Sequence, residues 1–151
     1  MKLNSIVSKS FLFYQLEALA LDSEKLDVKK KEICQHIKGL TENRINEITS
    51  EFKRNNNVIV NIEDANLQLP CDYFQSVIIE IVENAYLYSP RRTTVRIIGG
   101  IDGDQYVFTV RDEGLGMTQD QISKIGAYQK FQNDLEGKAG VGLGLINSKR
   151  V

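Results

Sequence analysis

One histidine and two cysteines are all that 151 residues offer of the commonest soft metal ligands. The single His36 excludes multi-histidine metal sites and leaves a histidine-based triad without support. Cys34 and Cys71 make no disulfide framework and no zinc set. They are expected to be reduced packing residues, in a cytoplasmic protein. Long apolar runs are missing as well, since none reaches the ~18 residues of a membrane span. Phe11, Leu12 and Phe13 are interrupted by Gln15, Glu17 and Asp22 with no small-residue cleavage site after them, which argues against a signal peptide. An excess of basic charge is absent. Nineteen Lys+Arg against twenty Asp+Glu leave a net charge of −1, so counterion release gives no drive toward nucleic acid. There is no internal repeat and no low-complexity tract. The only two prolines, Pro70 and Pro90, bracket one segment.

What is present is an ordinary globular composition, 42% hydrophobic and 26% charged, with enough chain for one cored domain. Glycine is unevenly placed: ten of the eleven lie between Gly99 and Gly144. Regular structure is therefore expected first and a loop-rich region last. Residues 8–21 read as a helix with Phe11, Leu12, Leu16 and Leu19 on one face. Residues 25–54 read as a second helix, with Ile33, Ile37, Leu40, Ile45, Ile48 and Phe52 inward and a solvated charged face outward. Val58 to Ile62 reads as a strand. Asp72 with Gln75 forms a capping-box pattern opening a helix over 72–89, with Val77, Ile78, Ile81, Val82 and Ala85 as its buried stripe and Pro90 as its stop. Thr93–Ile98 and Gln105–Arg111 read as strands joined through residues 99–104. A short helix is expected near Gln119–Ile125 and a last one opening at Gly142-Leu143-Gly144-Leu145.

Three groups of residues carry chemistry. Glu80 and Asn84 are one helical turn apart and share a face. Together they are hard oxygen ligands suited to Mg²⁺ that keeps its waters and bridges to phosphates; alone, they are also what an ordinary exposed polar face looks like. Asp112 leaves a strand into Gly114-x-Gly116, a fixed acceptor suited to an exocyclic amine beside backbone that a planar ring can approach; a plain turn would read the same way. Gly140, Gly142 and Gly144 alternate before a helix, an arrangement that cradles phosphate or serves as a linker.

In order and spacing, Glu80-x-x-x-Asn84-Ala85, Asp112-x-Gly114-x-Gly116 and Gly140-x-Gly142-x-Gly144-Leu145 resemble the ATP-binding domain of the GHKL superfamily. That superfamily takes in sensor histidine kinases, DNA gyrase, MutL-type repair proteins and a heat-shock chaperone. "ENAYLYSP" is similar to the kinase-type N box, "VRDEGLGM" to the G1 box and "GVGLGL" to the G2 box, with Phe131 at the place of the F box. The resemblance implies an α/β sandwich of the Bergerat type, a mixed sheet covered on one face by helices and lacking its last strands. It implies residues 1–24 as the tail of a dimerisation helix or linker and 25–151 as the ATP-binding domain. ATP and Mg²⁺ would be its ligands. Asn84 would coordinate the metal, and Glu80 would be a metal-shell ligand or polarise water. Asp112 would read the adenine amino group beside Gly114 and Gly116. Gly140, Gly142 and Gly144 would hold the phosphates, Tyr88 would pack near the nucleotide, and Lys138 would reach a phosphate from the lid. Partners would be a histidine-containing dimerisation domain and a response regulator, with a homodimer through residues 8–21.

The sequence departs from the kinase pattern at named positions. Leu87 stands where many kinases carry a lysine aimed at the phosphates, so Arg91, Arg92 or Lys138 would have to supply that charge. Glu80 replaces a common Asn and is closer to the ATPase branch, where it acts as general base. His36 lacks the acidic, Arg and Pro context of a phosphoacceptor and reads as an ordinary surface histidine. The leading reading is a histidine-kinase catalytic domain. The rivals are a nucleotide-binding or interaction module with little phosphotransfer, and a GHKL ATPase.

Overall fold

A computed structural model describes residues 22, 28, 29 and 31–120. The chain divides into two compact units, Lys29–Gly116 and one made of Met1–Val28 with Met117–Val151. The elements below all belong to the first. Expectations for the helix over 8–21, the helix near 119–125, Phe131, Lys138, Gly140, Gly142, Gly144 and the last helix lie outside the described residues, apart from Gln119 and Asp120.

The elements run α1 (Ile37–Glu51), β1 (Val58–Ile62), α2 (Cys71–Tyr88), β2 (Val95–Asp102) and β3 (Gln105–Arg111). The sheet order is β1-β2-β3. β1 and β2 are parallel, which needs a crossover between them, and α2 is that crossover. β2 and β3 form an antiparallel hairpin. The mixed sheet backed by helices is the expected α/β sandwich. Alternation sets its two faces. Val60, Ile62, Val95, Ile97, Phe108 and Val110 turn toward the helices, while Ile59, Arg96, Ile98, Val107 and Arg111 face out. On α1, Ile37, Thr41, Ile45, Ile48 and Thr49 are buried at helical spacing. Thr41 and Thr49 lie in that apolar stripe without an orphaned hydroxyl, because each donates to the carbonyl four residues back, at 2.7 and 2.6 Å.

The single helix expected over 25–54 is not formed. Among the described residues it breaks before Ile37, and Ile33 is 57% exposed rather than inward. Cys34 forms an isolated antiparallel bridge with Leu67, its N–H and C=O both paired with that residue at 2.8 and 2.9 Å. His36 then takes a left-handed conformation, φ 51°. The first amides of α1 are satisfied from the loop after β1. Asn66 Oδ1 accepts from His36 N at 3.0 Å, Ala65 O from Ile37 N at 3.2 Å, and Asp64 Oδ1 from Lys38 N at 3.1 Å. Hydrophobic periodicity alone could not show a cap supplied from nearly thirty residues away. The Lys38 amide, then the His36 ring at 3.1 Å, hold the Asp64 carboxyl below its ordinary range. His36 is exposed, as expected.

The same bridge brings Cys34 to the first residue of α2. Cys34 and Cys71 are joined as a disulfide with their Cα atoms 4.7 Å apart, correcting the expectation of two reduced cysteines. The link closes a loop of 37 residues around α1 and β1, worth about 4 kcal/mol in the chain-entropy account.

Three smaller corrections concern α2 and the hairpin. α2 starts at Cys71 with Pro70 at its N-cap, so Asp72 lies in the first turn and its carboxylate accepts from Tyr73 N at 3.0 Å instead of forming a capping box. On α2 the buried set is Phe74, Ile78, Glu80, Val82, Ala85 and Tyr86, while Val77 and Ile81 are only half-buried. The hairpin loop is two residues, Gly103 and Asp104, because β2 continues through Gly99 and Gly100 to Asp102. It continues there because Tyr106 lies over Gly99, where an added Cβ would overlap the phenol ring, and the phenol donates to Glu63 O at 2.9 Å.

α1 ends in a Schellman turn. Arg54 N reaches back to Thr49 O at 3.0 Å and Lys53 N to Ser50 O at 3.1 Å, with Lys53 at φ 56° in the position usually held by glycine. Lys53→Gly will therefore raise the stability of the chain by about 0.5–1 kcal/mol, the strain relieved less the glycine entropy. Chemical denaturation with an unchanged m-value is the check.

Candidate functional site

α2 carries three of the expected site residues on successive turns: Glu80, Asn84 and Tyr88. At helical rise they are spaced about 6 Å apart along the axis. They do not form a uniformly solvated face. Glu80 is only 4% exposed, Asn84 is half-buried, and Tyr88 is 49% exposed. Burying a carboxylate opposes folding unless something answers it, so the buried Glu80 is more than one charge on a wet surface. Leu87, in place of a phosphate-directed lysine, is half-buried, and Arg91 and Arg92 are exposed just beyond the helix.

The end of β3 returns to the end of this helix. Asp112 Oδ1 accepts from Gly114 N at 2.6 Å, closing a tight turn. A Cβ at Gly114 would lie 2.6 Å from both Asp112 Oδ1 and the carbonyl oxygen of Tyr88. Only glycine allows this turn to press against the α2 backbone. Tyr88, Asp112 and Gly114 are thus brought together. Gly116 follows at φ 64°, a conformation that also favours glycine. Asp112 is exposed and spends one carboxylate oxygen on the turn, which leaves Oδ2 as a fixed acceptor.

Among the described residues no group of three or more His, Cys, Asp or Glu side chains gathers as a metal cage. Glu80 and Asn84 nonetheless fit Mg²⁺, which is commonly held by one or two protein oxygens, waters and substrate phosphates. No described helix is long and apolar enough to cross a membrane.

One residue that shapes the site has no counterpart in the sequence expectations. Arg54, placed there on a solvated charged face, is 3% exposed. Its guanidinium spans the carboxyl end of α2. The short contacts are to Ser89 Oγ at 2.9 Å, Pro90 O at 2.9 Å and Thr93 O at 2.7 Å, with longer ones to Tyr86 O and Ser89 O at 3.4 Å. It also lies over the Tyr86 ring, 5.1 Å from the centroid. Tyr86 in turn bonds Thr49 Oγ1 at 2.9 Å, and burial pushes its phenol above the usual range. The available signal was the break itself: Arg54 is the last residue before Asn55-Asn56-Asn57, three asparagines that stop the helix.

A family described as histidine kinase-, DNA gyrase B-, and HSP90-like ATPase matches residues 71–151, more than half of the sequence. The chain belongs to this family. The match begins at the first residue of α2 and takes in the Asp112 turn. Among curated proteins, an uncharacterised sensor-like histidine kinase of Rhizobium meliloti is 31% identical over 74 residues, 48% of this chain and 14% of that protein. The sensor protein PfeS of Pseudomonas aeruginosa is 29% identical over 87 residues, 58% of this chain and 19% of that one. The chain thus spans less than a fifth of either relative. Two solved structures share the fold. The mycobacterial sensor histidine kinase MprB gives a TM-score of 0.64 at 16% identity, over 79% of this chain and 78% of that one. The histidine kinase AdeS of Acinetobacter baumannii gives 0.67 at 15% identity, over 97% of this chain and 64% of that one. The domain therefore belongs to an ATPase family and shares its fold with the ATP-binding parts of these kinases.

Proposed function

We propose that this ATPase-family domain is the catalytic part of a two-component sensor histidine kinase. It binds Mg-ATP and presents the γ-phosphate to a histidine on another domain or chain, from which a response regulator would be served. The observation that carries the reading is the packing of the Asp112–Gly114 turn on the same helix that carries Glu80 and Asn84. One rigid element then positions an adenine-side acceptor at one end and a metal-side pair one and two turns back. Phosphoryl transfer depends mainly on such positioning and on charge. Asn84 would hold Mg²⁺ between the phosphates. The bound ion would supply charge neutralisation that Leu87 cannot. Lys138, Gly140, Gly142 and Gly144 would complete the phosphate side, and residues 8–21 would form a dimer contact. A cytoplasmic location is part of this proposal and rests on the need for ATP, not on the cysteines.

The burial of Glu80 favours one second reading, hydrolysis of ATP with this carboxylate as general base. The test is titration calorimetry with ATP, with and without Mg²⁺. Wild type should bind saturably and more tightly with the metal. Asn84→Ala should lose most of that metal-dependent gain, about ten-fold in affinity. Binding indifferent to Mg²⁺ in both proteins would sink the metal role. Phosphate transfer to a separate histidine domain supports the kinase, whereas steady phosphate release that stops in Glu80→Ala supports the ATPase.

A further inference from the structure

We infer that Arg54 is a positioning residue for the adenine side of this site, acting through the carboxyl end of α2. The inference rests on the nucleotide reading above and deepens it by naming what sets the Asp112–Gly114 turn in place.

The argument follows the backbone. Residues 86–93 leave α2 and turn toward β2. Such a segment has orphan carbonyls, because a helix cannot satisfy its own last ones. Arg54 gathers the carbonyls of Tyr86, Ser89, Pro90 and Thr93 and the hydroxyl of Ser89 onto one planar fork. Its positive charge also sits at the negative end of the α2 dipole. Its partners among the described residues are carbonyl and hydroxyl oxygens and an aromatic ring, with no carboxylate. The charge is therefore spent on fixing backbone.

Tyr88 lies inside the clamped stretch, and its carbonyl is the atom that Gly114 packs against. The position of Tyr88 sets where Gly114 can sit. Gly114 N is bonded to Asp112 Oδ1, so it sets where the carboxylate points. Arg54 hydrogen-bonds to none of these three residues; the route runs from its bond to Ser89 Oγ at 2.9 Å, through the chain to Tyr88, across the close approach of the Gly114 backbone, to Asp112 Oδ1 at 2.6 Å from Gly114 N. A lysine at 54 could keep the charge but could not span carbonyls from residue 86 to residue 93.

The test begins without ligand. In ¹H–¹⁵N spectra of the full chain, Arg54→Lys should shift the Gly114 amide resonance, whose hydrogen bond reports the turn, while Gly103 in the β2–β3 loop stays in place. An unmoved Gly114 in a folded variant overturns the inference. If Arg54→Lys does not fold, Ser89→Ala removes one short contact and keeps the guanidinium buried. It should move the same resonance in the same direction by less, and no movement again overturns the inference. The second readout is affinity for ATP beside purine riboside triphosphate, which lacks the 6-amino group. Arg54→Lys should bind ATP about ten-fold more weakly than wild type and the analogue nearly as well as before. Equal losses, as general loosening of the domain would produce, overturn the positioning role. Wild-type protein that binds neither nucleotide would refute the nucleotide reading, and the ligand-free spectra would still judge the link from Arg54 to the turn.

Discussion

Asp112→Asn will weaken ATP binding about ten- to hundred-fold, the usual worth of a hydrogen bond to a charged group, and leave the domain folded. The reason lies in how the carboxylate is divided. Oδ1 is committed to Gly114 N at 2.6 Å, and an asparagine oxygen can take over that bond. The second position then becomes an amide NH₂, a donor facing the donor amine of adenine. The turn survives and the readout fails. Calorimetry on ATP and on purine riboside triphosphate separates the two effects. The analogue should lose much less than ATP, and an equal loss for both would remove Asp112 from adenine recognition. Asp112 is exposed and outside the core, so thermal unfolding should hardly change.

Gly114→Val should do more. Its first added carbon would meet the Tyr88 carbonyl and the Asp112 carboxylate at 2.6 Å, and neither can give way cheaply. One is helix backbone and the other is held by the turn itself. The turn must lift off α2, taking Asp112 with it. ATP affinity is expected to fall by on the order of a hundred-fold, the effect of misplacing a positioning group by about 1 Å. Gly114 belongs to no core cluster, so circular dichroism should show the secondary structure retained. Gly103→Val is the comparison. Unlike Gly114 it sits at positive φ, but nothing lies within 4 Å of its Cβ, so the substitution should affect stability and leave binding alone.

Much of the candidate site could be proposed from the sequence because its pattern is short and local. Glu80 and Asn84 at four-residue spacing, and an aspartate leaving a strand into alternating glycines, need no knowledge of distant contacts. The strands were legible for the same reason, since alternation over Val58–Ile62 and Gln105–Arg111 is a local property. What could not be read was set by residues far apart in the chain. Helix α1 begins at Ile37 because Asp64 and Asn66 cap it, and charge and apolar spacing before Ile37 continue as though nothing happened. Cys34 and Cys71 meet because Leu67 pairs with Cys34, and their separation in sequence carries no trace of it. Arg54 looked like any surface arginine because its partners, mainly backbone carbonyls, have no identity in a sequence. The place of Glu80 on α2 was legible, but its burial was not, since a helical face is defined relative to neighbours that periodicity cannot locate.

The pairing of β2 with β3 poses a question of alignment. Sliding β3 by a single residue would turn Phe108 and Val110 out to solvent, so alternation forbids it. Sliding by two would keep every apolar side chain on its own face, and alternation is blind to that error. Tyr106 and Gly99 are not. They sit diagonally across the two strands, since Gly99 is opposite Phe108 and Tyr106 is opposite Ile101. The phenol needs a neighbour without a side chain on its way to Glu63 O. On the same face of β2, the residues two places to either side of Gly99 are Ile97 and Ile101, and either would block the ring. One glycine and one tyrosine thus act as a key and its notch, choosing a single alignment from a set that hydrophobicity treats as equivalent. Because β3 leads directly into Asp112, that choice also decides which residue reaches the end of α2.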